Sequence, residues 1–243
     1  MSTLVAIPVY ERAEQVRHCF ATLAELQRPD GTTIVVFDDC SQTFDPGAMA
    51  AEAGIIAVHD RRPFRIGADA MIYLMWSTFL ASGADTLLMV DSDMIANRTA
   101  LVDGLALLGG VDGLLSLYNS IRHPAIEEAG ELVYKRRLGN AGTLWTRELV
   151  ALVRGGVEPG NFMDDRYCIF LRQRGLRLAS TRRSRLQHLG HGGQNNRYFG
   201  DLDHGAGFVA DSAPQQAALV EAYDELMSRQ PFYRPPGVLP AAD

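Results

Sequence analysis

The sequence predicts an α/β fold in which a mostly parallel central sheet is flanked by helices. Three observations carry this. Short apolar runs alternate with longer stretches whose apolar residues recur at helical spacing, the order expected of strand–helix–strand units. The runs in Leu4–Val9, Thr33–Phe37 and Leu87–Val90 are nearly uninterrupted, as in strands buried on both faces. Two of them stop abruptly at acids, Asp38-Asp39 and Asp91-Ser92-Asp93, where open α/β sheets place their ligands.

The first strand, Leu4–Val9, ends at Pro8-Val9-Tyr10. A helix over residues 12–26 follows, with Val16, Cys19, Phe20, Leu23 and Leu26 on its buried face. Arg28-Pro29-Asp30-Gly31 turns the chain into the second strand, Thr33–Phe37. Asp45-Pro46-Gly47 opens a short helix, and Gly54–His59 forms a third strand. After Arg61-Arg62-Pro63-Phe64-Arg65, a long helix over Ile66–Ala81 delivers the chain to the strand that ends at Asp91. Right-handed crossovers put Tyr10, Asp39 and Asp91 along one edge of the sheet.

Beyond Asp93 the pattern gives a helix over Arg98–Leu108, a strand over Gly113–Tyr118 and an edge strand of mixed polarity over Glu131–Arg136. Leu138–Trp145 holds a Gly-flanked strand whose small residues let another molecule approach the backbone. Asn161–Asp165 begins a helix that ends near Gly175. Leu176–Ser180 and Arg185–Leu189 read as closing strands, with Arg182, Arg183 and Arg185 forming a solvated strand edge. A Gly- and Asn-rich loop covers 190–207, Ala213–Ser228 is an amphipathic helix, and an extended tail follows Gln230.

Length and composition bound the function classes. The 243 residues suffice for one large α/β domain, and the 47% apolar and 21% charged fractions are those of an ordinary globular protein. No apolar run reaches the length of a membrane span, and the N-terminus lacks the basic segment and apolar core of a signal peptide, so the expected location is cytoplasmic. Cys19, Cys40 and Cys168 are odd in number and widely spaced, which argues against a disulfide framework or a zinc site. The net charge of -6 argues against general attraction to nucleic acid. Lys135 is the one lysine, which leaves few candidates for lysine chemistry.

Asp91 and Asp93 lie two apart in extended geometry and point to the same side, so they could hold a divalent cation against a phosphate. The alternative is that they cap the next element, as Asp and Ser often do. Asp38-Asp39 likewise reads either as an Asx turn or as a ligand pair. Asp164 and Asp165 open a predicted helix, where negative charge is favourable in any case.

The order of these features resembles the family 2 glycosyltransferases of the GT-A fold over roughly the first 190 residues. The matching pieces are Ile7-Pro8-Val9-Tyr10-Glu11-Arg12, Phe37-Asp38-Asp39-Cys40-Ser41, Val90-Asp91-Ser92-Asp93, Gly139-Asn140-Ala141-Gly142, the pair Asp164-Asp165 before Gly175, and His188 on a late strand. The resemblance implies a Rossmann-like central sheet with a smaller acceptor-side sheet. It implies one domain over 1–211, with a nucleotide-binding half (1–97) and an acceptor-side half with its flexible loop (98–211), followed by a C-terminal helix and tail (212–243).

The resemblance also implies roles. Pro8, Val9, Tyr10, Glu11 and Asp39 fall where the family holds the base and ribose, typically of a UDP-sugar, and Arg65 falls near the nucleotide or its diphosphate. Asp91 and Asp93 would position Mn²⁺ or Mg²⁺ against the diphosphate, Asp93 the direct ligand and Asp91, with Ser92, toward the ribose. His188, or alternatively His191, would complete the metal site. Asp164, with Asp165 as its rival, corresponds to the base that deprotonates the acceptor hydroxyl, giving inversion. Arg197 and Tyr198 stand in the loop that in the family orders over the donor. Glu11, Cys40 and Met163 depart from the family pattern, and the acceptor has no signature.

Other classes fit less of the chain. A sugar nucleotidyltransferase needs a Gly-rich loop after the first strand, and Pro8–Arg12 contains no glycine. No G-x-G-x-x-G follows a predicted strand, which disfavours a dinucleotide-dependent oxidoreductase. A phosphoacceptor signalling domain is about half this length and needs a lysine after its last strand. A non-catalytic nucleotide-sugar-binding relative keeps the same residues and is separated from an enzyme by turnover.

Overall fold

The computed structural model describes residues 1–190 and 202–229. In chain order the elements begin β1 (Thr3–Val9), α1 (Ala13–Ala24), β2 (Thr32–Asp38), α2 (Pro46–Glu52), β3 (Ala57–Arg61), α3 (Ala68–Ser82) and β4 (Thr86–Met89). They continue through β5 (Met94–Ala96), α4 (Ala100–Leu108), β6 (Gly113–Ser116), β7 (Ala125–Ala129), β8 (Leu132–Lys135) and β9 (Thr143–Thr146). The last are α5 (Arg147–Gly156), α6 (Met163–Gln173), β10 (Arg177–Thr181), β11 (Leu186–His188) and α7 (Ala213–Arg229).

Nine strands form one sheet in the order β3-β2-β1-β4-β9-β6-β10-β8-β7. Strands β3, β2, β1 and β4 are mutually parallel, and tracing the pairings across the sheet leaves β9 and β8 running against the rest. The mostly parallel α/β architecture read from the sequence is therefore present. A small second sheet pairs β5 with β11 in antiparallel fashion.

Alternate side chains of a strand point to opposite faces, so each central strand feeds two layers. Val5, Ile7 and Val9 of β1 pack with Val16, Phe20 and Leu23 of α1, Ala50 of α2 and Leu101 of α4. Leu4 and Ala6 enter the other layer with Met75, Trp76 and Phe79 of α3, Val150 of α5 and Leu171 of α6. The same division separates Ile34 and Val36 from Val35 and Phe37, and Leu88 from Leu87 and Met89. Continuous apolar runs are the sequence signature of that double burial. A third, smaller core joins Ile95 to Leu202, Phe208 and the apolar face of α7.

Several elements differ from the sequence reading. The Glu131–Arg136 segment is interior rather than an edge: all four residues of β8 are buried, and the exposed strand β7 lies outside it. Its polar member is accommodated because the Lys135 ammonium donates to the Ser120 carbonyl at 2.7 Å, and burial pulls that ammonium down to about 8. Helix α5 follows β9 with no intervening turn; the Thr146 hydroxyl caps it by accepting from the Leu149 amide at 3.2 Å. Strand β5 likewise follows Asp93 without a break.

Within the predicted 190–207 loop, residues 191–201 lie outside the described residues, but 202–207 are tied down. Ser120 and Gly205 form a β-bridge, the Asp203 carbonyl accepts from the Tyr118 hydroxyl, and Leu202 and His204 are buried. Of the three late arginines, Arg182 pairs with Glu128 at 2.6 Å, Arg185 approaches Asp103 at 3.3 Å, and Arg183 is exposed.

Trp145 of β9 joins the sheet to both helices that border the site, with its ring centroid 5.4 Å from Trp76 of α3 and 5.1 Å from Tyr167 of α6. All three rings are fully buried. Trp145→Ala is expected to cost about 3–5 kcal/mol, read as a lower urea midpoint with unchanged slope.

Candidate active site

The ends of β1 and β2 are locked together by unusual backbone. Glu11, Arg12 and Cys40 have φ of 52°, 65° and 68°, a left-handed conformation uncommon outside glycine. Glu11 holds the first loop to the second: its carboxylate accepts from the Gln42 amide at 2.7 Å and from both the amide and hydroxyl of Thr43. The Thr43 hydroxyl, then the Gln42 amide, keep the Glu11 carboxyl below its ordinary value. Its carboxylate therefore braces the two loops.

The two acids after β2 divide their work. Asp38 accepts from the Ser41 amide at 2.7 Å, the turn contact expected of an Asx residue. Asp39 accepts from the amides of Ile66 and Gly67 at 2.6 and 2.8 Å, which pins the chain entering α3 over the end of β1. Arg65 is thereby held with its guanidinium 4.1 Å from the centroid of the Tyr10 ring. Together with Pro8, Val9, Asp91, Ser92 and Asp93, these residues line a cavity of about 210 Å³.

Asp93 sits where β1, β4 and the small sheet meet. The β5–β11 pairing sets His188 opposite Met94, and the Leu189 amide donates to the Asp93 carbonyl at 2.8 Å. His188 Nε2 lies 3.3 Å from Asp93 Oδ1, while Arg12 Nη1 lies 2.6 Å from Oδ2. Burial alone would raise the Asp93 carboxyl, but His188 and Arg12 outweigh it and hold it below its ordinary value. The Gly190 amide donates to His188 Nδ1 at 3.0 Å. A Cβ at Gly190 would lie 2.3 Å from His188 Cε1 and 2.4 Å from Asp93 Oδ2, so this approach requires glycine. Tyr118 stacks on the imidazole, with centroids 6.3 Å apart.

Asp91 is in the opposite electrostatic situation. Burial, and next the Asp93 carboxylate, push its carboxyl up. Its polar contact is with Asn140 Nδ2 at 3.5 Å. Asn140 comes from the loop before β9, and its Oδ1 is buried without a partner among the described residues.

A second cavity, of about 880 Å³, opens on the other side of Asp91, where Asn140, His188, Arg137 and Asp164 line it. Asp69 at the start of α3 accepts from the amides of Phe162 and Met163, at 3.3 and 3.0 Å, and so fixes the first turn of α6 against the site. Asp164 Oδ1 accepts from the Asp165 amide at 3.0 Å. Arg137 Nε pairs with Asp165 Oδ1 at 2.6 Å, and its Nη2 lies 3.5 Å from Asp164 Oδ2. Asp164 is in the cavity wall; Asp165 is not among its lining residues.

Carboxylate oxygens and an imidazole are donors that Mn²⁺ or Mg²⁺ accepts. Asp91, Asp93 and His188 carry donors of these types on adjoining elements. Among the described residues no three His, Cys, Asp or Glu side chains are gathered as ligands. Instead the Arg12 guanidinium rests on Asp93, so a positive charge already occupies this carboxylate. The donor types are those a divalent ion would need, and the cation beside Asp93 is the Arg12 guanidinium.

Of the candidates read from the sequence, Pro8, Val9, Tyr10, Asp39, Arg65, Asp91, Ser92 and Asp93 share the smaller cavity, and His188 and Asp164 meet Asp91 in the larger. His191, Arg197 and Tyr198 lie outside the described residues. Arg12, Tyr118, Arg137 and Asn140 were not among the chosen site residues. Asn140 stands in a motif that was legible, whereas single arginines in an arginine-rich chain give no signal of their own.

No family model matches the sequence, and no curated protein matches it. Solved structures do resemble it. S. aureus TarS 1-349 in complex with UDP-GlcNAc superposes with a TM-score of 0.58 at 14% identity, covering 94% of this chain and 73% of that one. A Pyrobaculum calidifontis mannosyltransferase in complex with GDP-Man and Mn²⁺ gives 0.55 at 13% identity over 96% of this chain and 65% of its own. GalNAc-T7 with UDP, GalNAc and Mn²⁺ gives 0.62 at 10% identity over 92% of this chain and 48% of its own. This chain spans 57% of the TarS 1-349 chain solved with UDP. These neighbours are glycosyltransferases of the GT-A fold, and the present chain has that fold.

The Asp91 environment gives a pH-dependent expectation. A carboxyl raised in the folded state stabilises the fold below its unfolded value, and that contribution is lost as pH rises through the folded value. In metal-free buffer, Asp91→Asn should therefore stabilise the protein by about 1–2 kcal/mol at neutral pH. The gain should disappear below about pH 4, where the wild-type carboxyl is protonated in both states. Thermal unfolding at the two pH values reads the difference.

Proposed function

We propose that this protein is a glycosyltransferase of the family 2 type that moves a sugar from a nucleoside diphosphate sugar, a UDP-sugar first, to an acceptor hydroxyl, with inversion and with bound Mn²⁺ or Mg²⁺. The supporting observation is that the two cavities share Pro8, Ala68 and Asp91 as a common wall. A donor whose nucleoside lies against Tyr10 and Asp39 thus has its reacting end at Asp91 and Asp93, facing the cavity that contains Asp164. Residues 1–97 carry the nucleotide side and 98–211 most of the acceptor side.

In this reading Tyr10 and Arg65 border the base, and Asp39 keeps the α3 entry in place while its carboxylate remains close to the nucleoside. Asp93 and His188, with Asp91 beside them, hold the metal. The bound ion supplies neutralisation of the charge that develops on the leaving nucleoside diphosphate. Asp164 accepts the proton of the acceptor hydroxyl as that oxygen bonds to the anomeric carbon. The bond between this carbon and the diphosphate oxygen breaks on the opposite face, which inverts the centre. Arg137 holds Asp165 at 2.6 Å and reaches Asp164 at 3.5 Å, while Asp164 lines the cavity. The DXD pattern of Asp91-Ser92-Asp93 thereby serves donor and metal together.

Thermal-shift titration tests the donor half. UDP or GDP should raise the melting temperature more with Mn²⁺ than without it, and Asp93→Ala should remove the metal-dependent part. Absence of any nucleotide effect with metal present defeats the proposal. Asp164→Asn should lower transfer and sugar-nucleotide hydrolysis by about 10²–10⁴-fold while donor affinity is retained. Equal turnover in the variant would remove Asp164 from the role, and no turnover in either protein would favour a binding module.

A further inference from the structure

The Arg12–Asp93 ion pair has no part in the reaction outlined above, yet it occupies one oxygen of the carboxylate assigned to the metal. Arg12 is the residue before α1 and takes up a left-handed conformation, as does Glu11 before it. The bracing of Glu11 by Gln42 and Thr43 fixes where the chain turns. That turn sends the guanidinium to Asp93 Oδ2 at 2.6 Å, while Arg12 Nη2 is buried without an acceptor among the described residues.

The pair is unequal in its comforts. Asp93 has a partner at each oxygen, the Arg12 guanidinium at Oδ2 and His188 Nε2 at Oδ1, whereas Arg12 leaves a buried donor unpaired, which is costly. The Arg12 side chain is one-third exposed, so an outward path is open to it. A guanidinium and a divalent ion at the same carboxylate oxygen repel each other as like charges and compete for its lone pairs.

We propose that Arg12 is a latch on the metal site: it holds Asp93 when no divalent ion is bound and must release Oδ2 for the ion to enter. Arg12 is thus a positioning residue that sets metal affinity by competition. The pairing keeps two buried carboxylates, Asp91 and Asp93, compatible in the metal-free protein, and it lowers the affinity of the site for the free ion. This inference rests on the proposed metal reading.

Mn²⁺ titration followed by the electron paramagnetic resonance signal of the free ion tests it, using the full chain without donor or acceptor. Arg12→Gln is expected to bind Mn²⁺ about tenfold more tightly than wild type, the loss of one charge-assisted competitor. Arg12→Lys, which restores a cation, is expected to return affinity toward wild type. Arg12→Met, which keeps the apolar stem, repeats the measurement if the glutamine variant does not fold. A purely structural role for Arg12 predicts equal or weaker Mn²⁺ binding in both neutral variants, and that result overturns the latch. If wild type binds Mn²⁺, Asp93→Asn does not, and the neutral variants match wild type, the latch fails and the metal reading stands. If no variant binds Mn²⁺ at all, both fail, while nucleotide binding independently reports on the donor site.

Discussion

Strands buried on both faces can carry polar chemistry only at their ends, and the rest of this molecule follows from that constraint. The interior of β1, β2 and β4 is apolar on both sides, so the first positions free to carry charge are Tyr10, Asp38-Asp39 and Asp91–Asp93. Parallel pairing brings these ends to one edge, and the loops there must resolve the electrostatics of several acids at close quarters.

They do so by giving each acid a different partner. Asp38 accepts from the Ser41 amide and has the Arg61 guanidinium 3.4 Å from its other oxygen, while Asp39 is held by the backbone amides of Ile66 and Gly67. Asp93 takes an arginine and a histidine, and Asp91 takes an amide side chain and is pushed toward its neutral form. Two carboxylates two residues apart thereby differ in the ease with which they ionise. The one held ionised is also the one in contact with Arg12 and His188.

The larger cavity is organised by a different element. Asp69, from the helix that also borders the smaller cavity, caps the entry to α6 and so couples the position of Asp164 to that of the Arg65–Gly67 segment. Behind it, the Trp76–Trp145–Tyr167 cluster fixes α3, β9 and α6 as one unit. The proposed base is therefore mounted on the same packed layer as the smaller cavity, so both are set by one core.

Local physics in the chain determined the alternation of elements, the double burial of the central strands and the clustering of acids at their ends, because apolar periodicity and abrupt polarity changes are written residue by residue. Tyr10, Asp39, Asp91, Asp93, Asp164 and His188 were legible for that reason, each standing at an element boundary in a recognisable order. What tertiary structure alone decided is who meets whom. Strand β8 became interior because β7, weakly patterned and wholly exposed, adds outside it, and α5 escaped notice because no turn separates it from β9. Glu11 became a brace and Arg12 a countercharge to Asp93 through contacts 31 and 81 residues away in sequence. Such pairings depend on loop conformation and long-range register, which no local pattern of residues encodes.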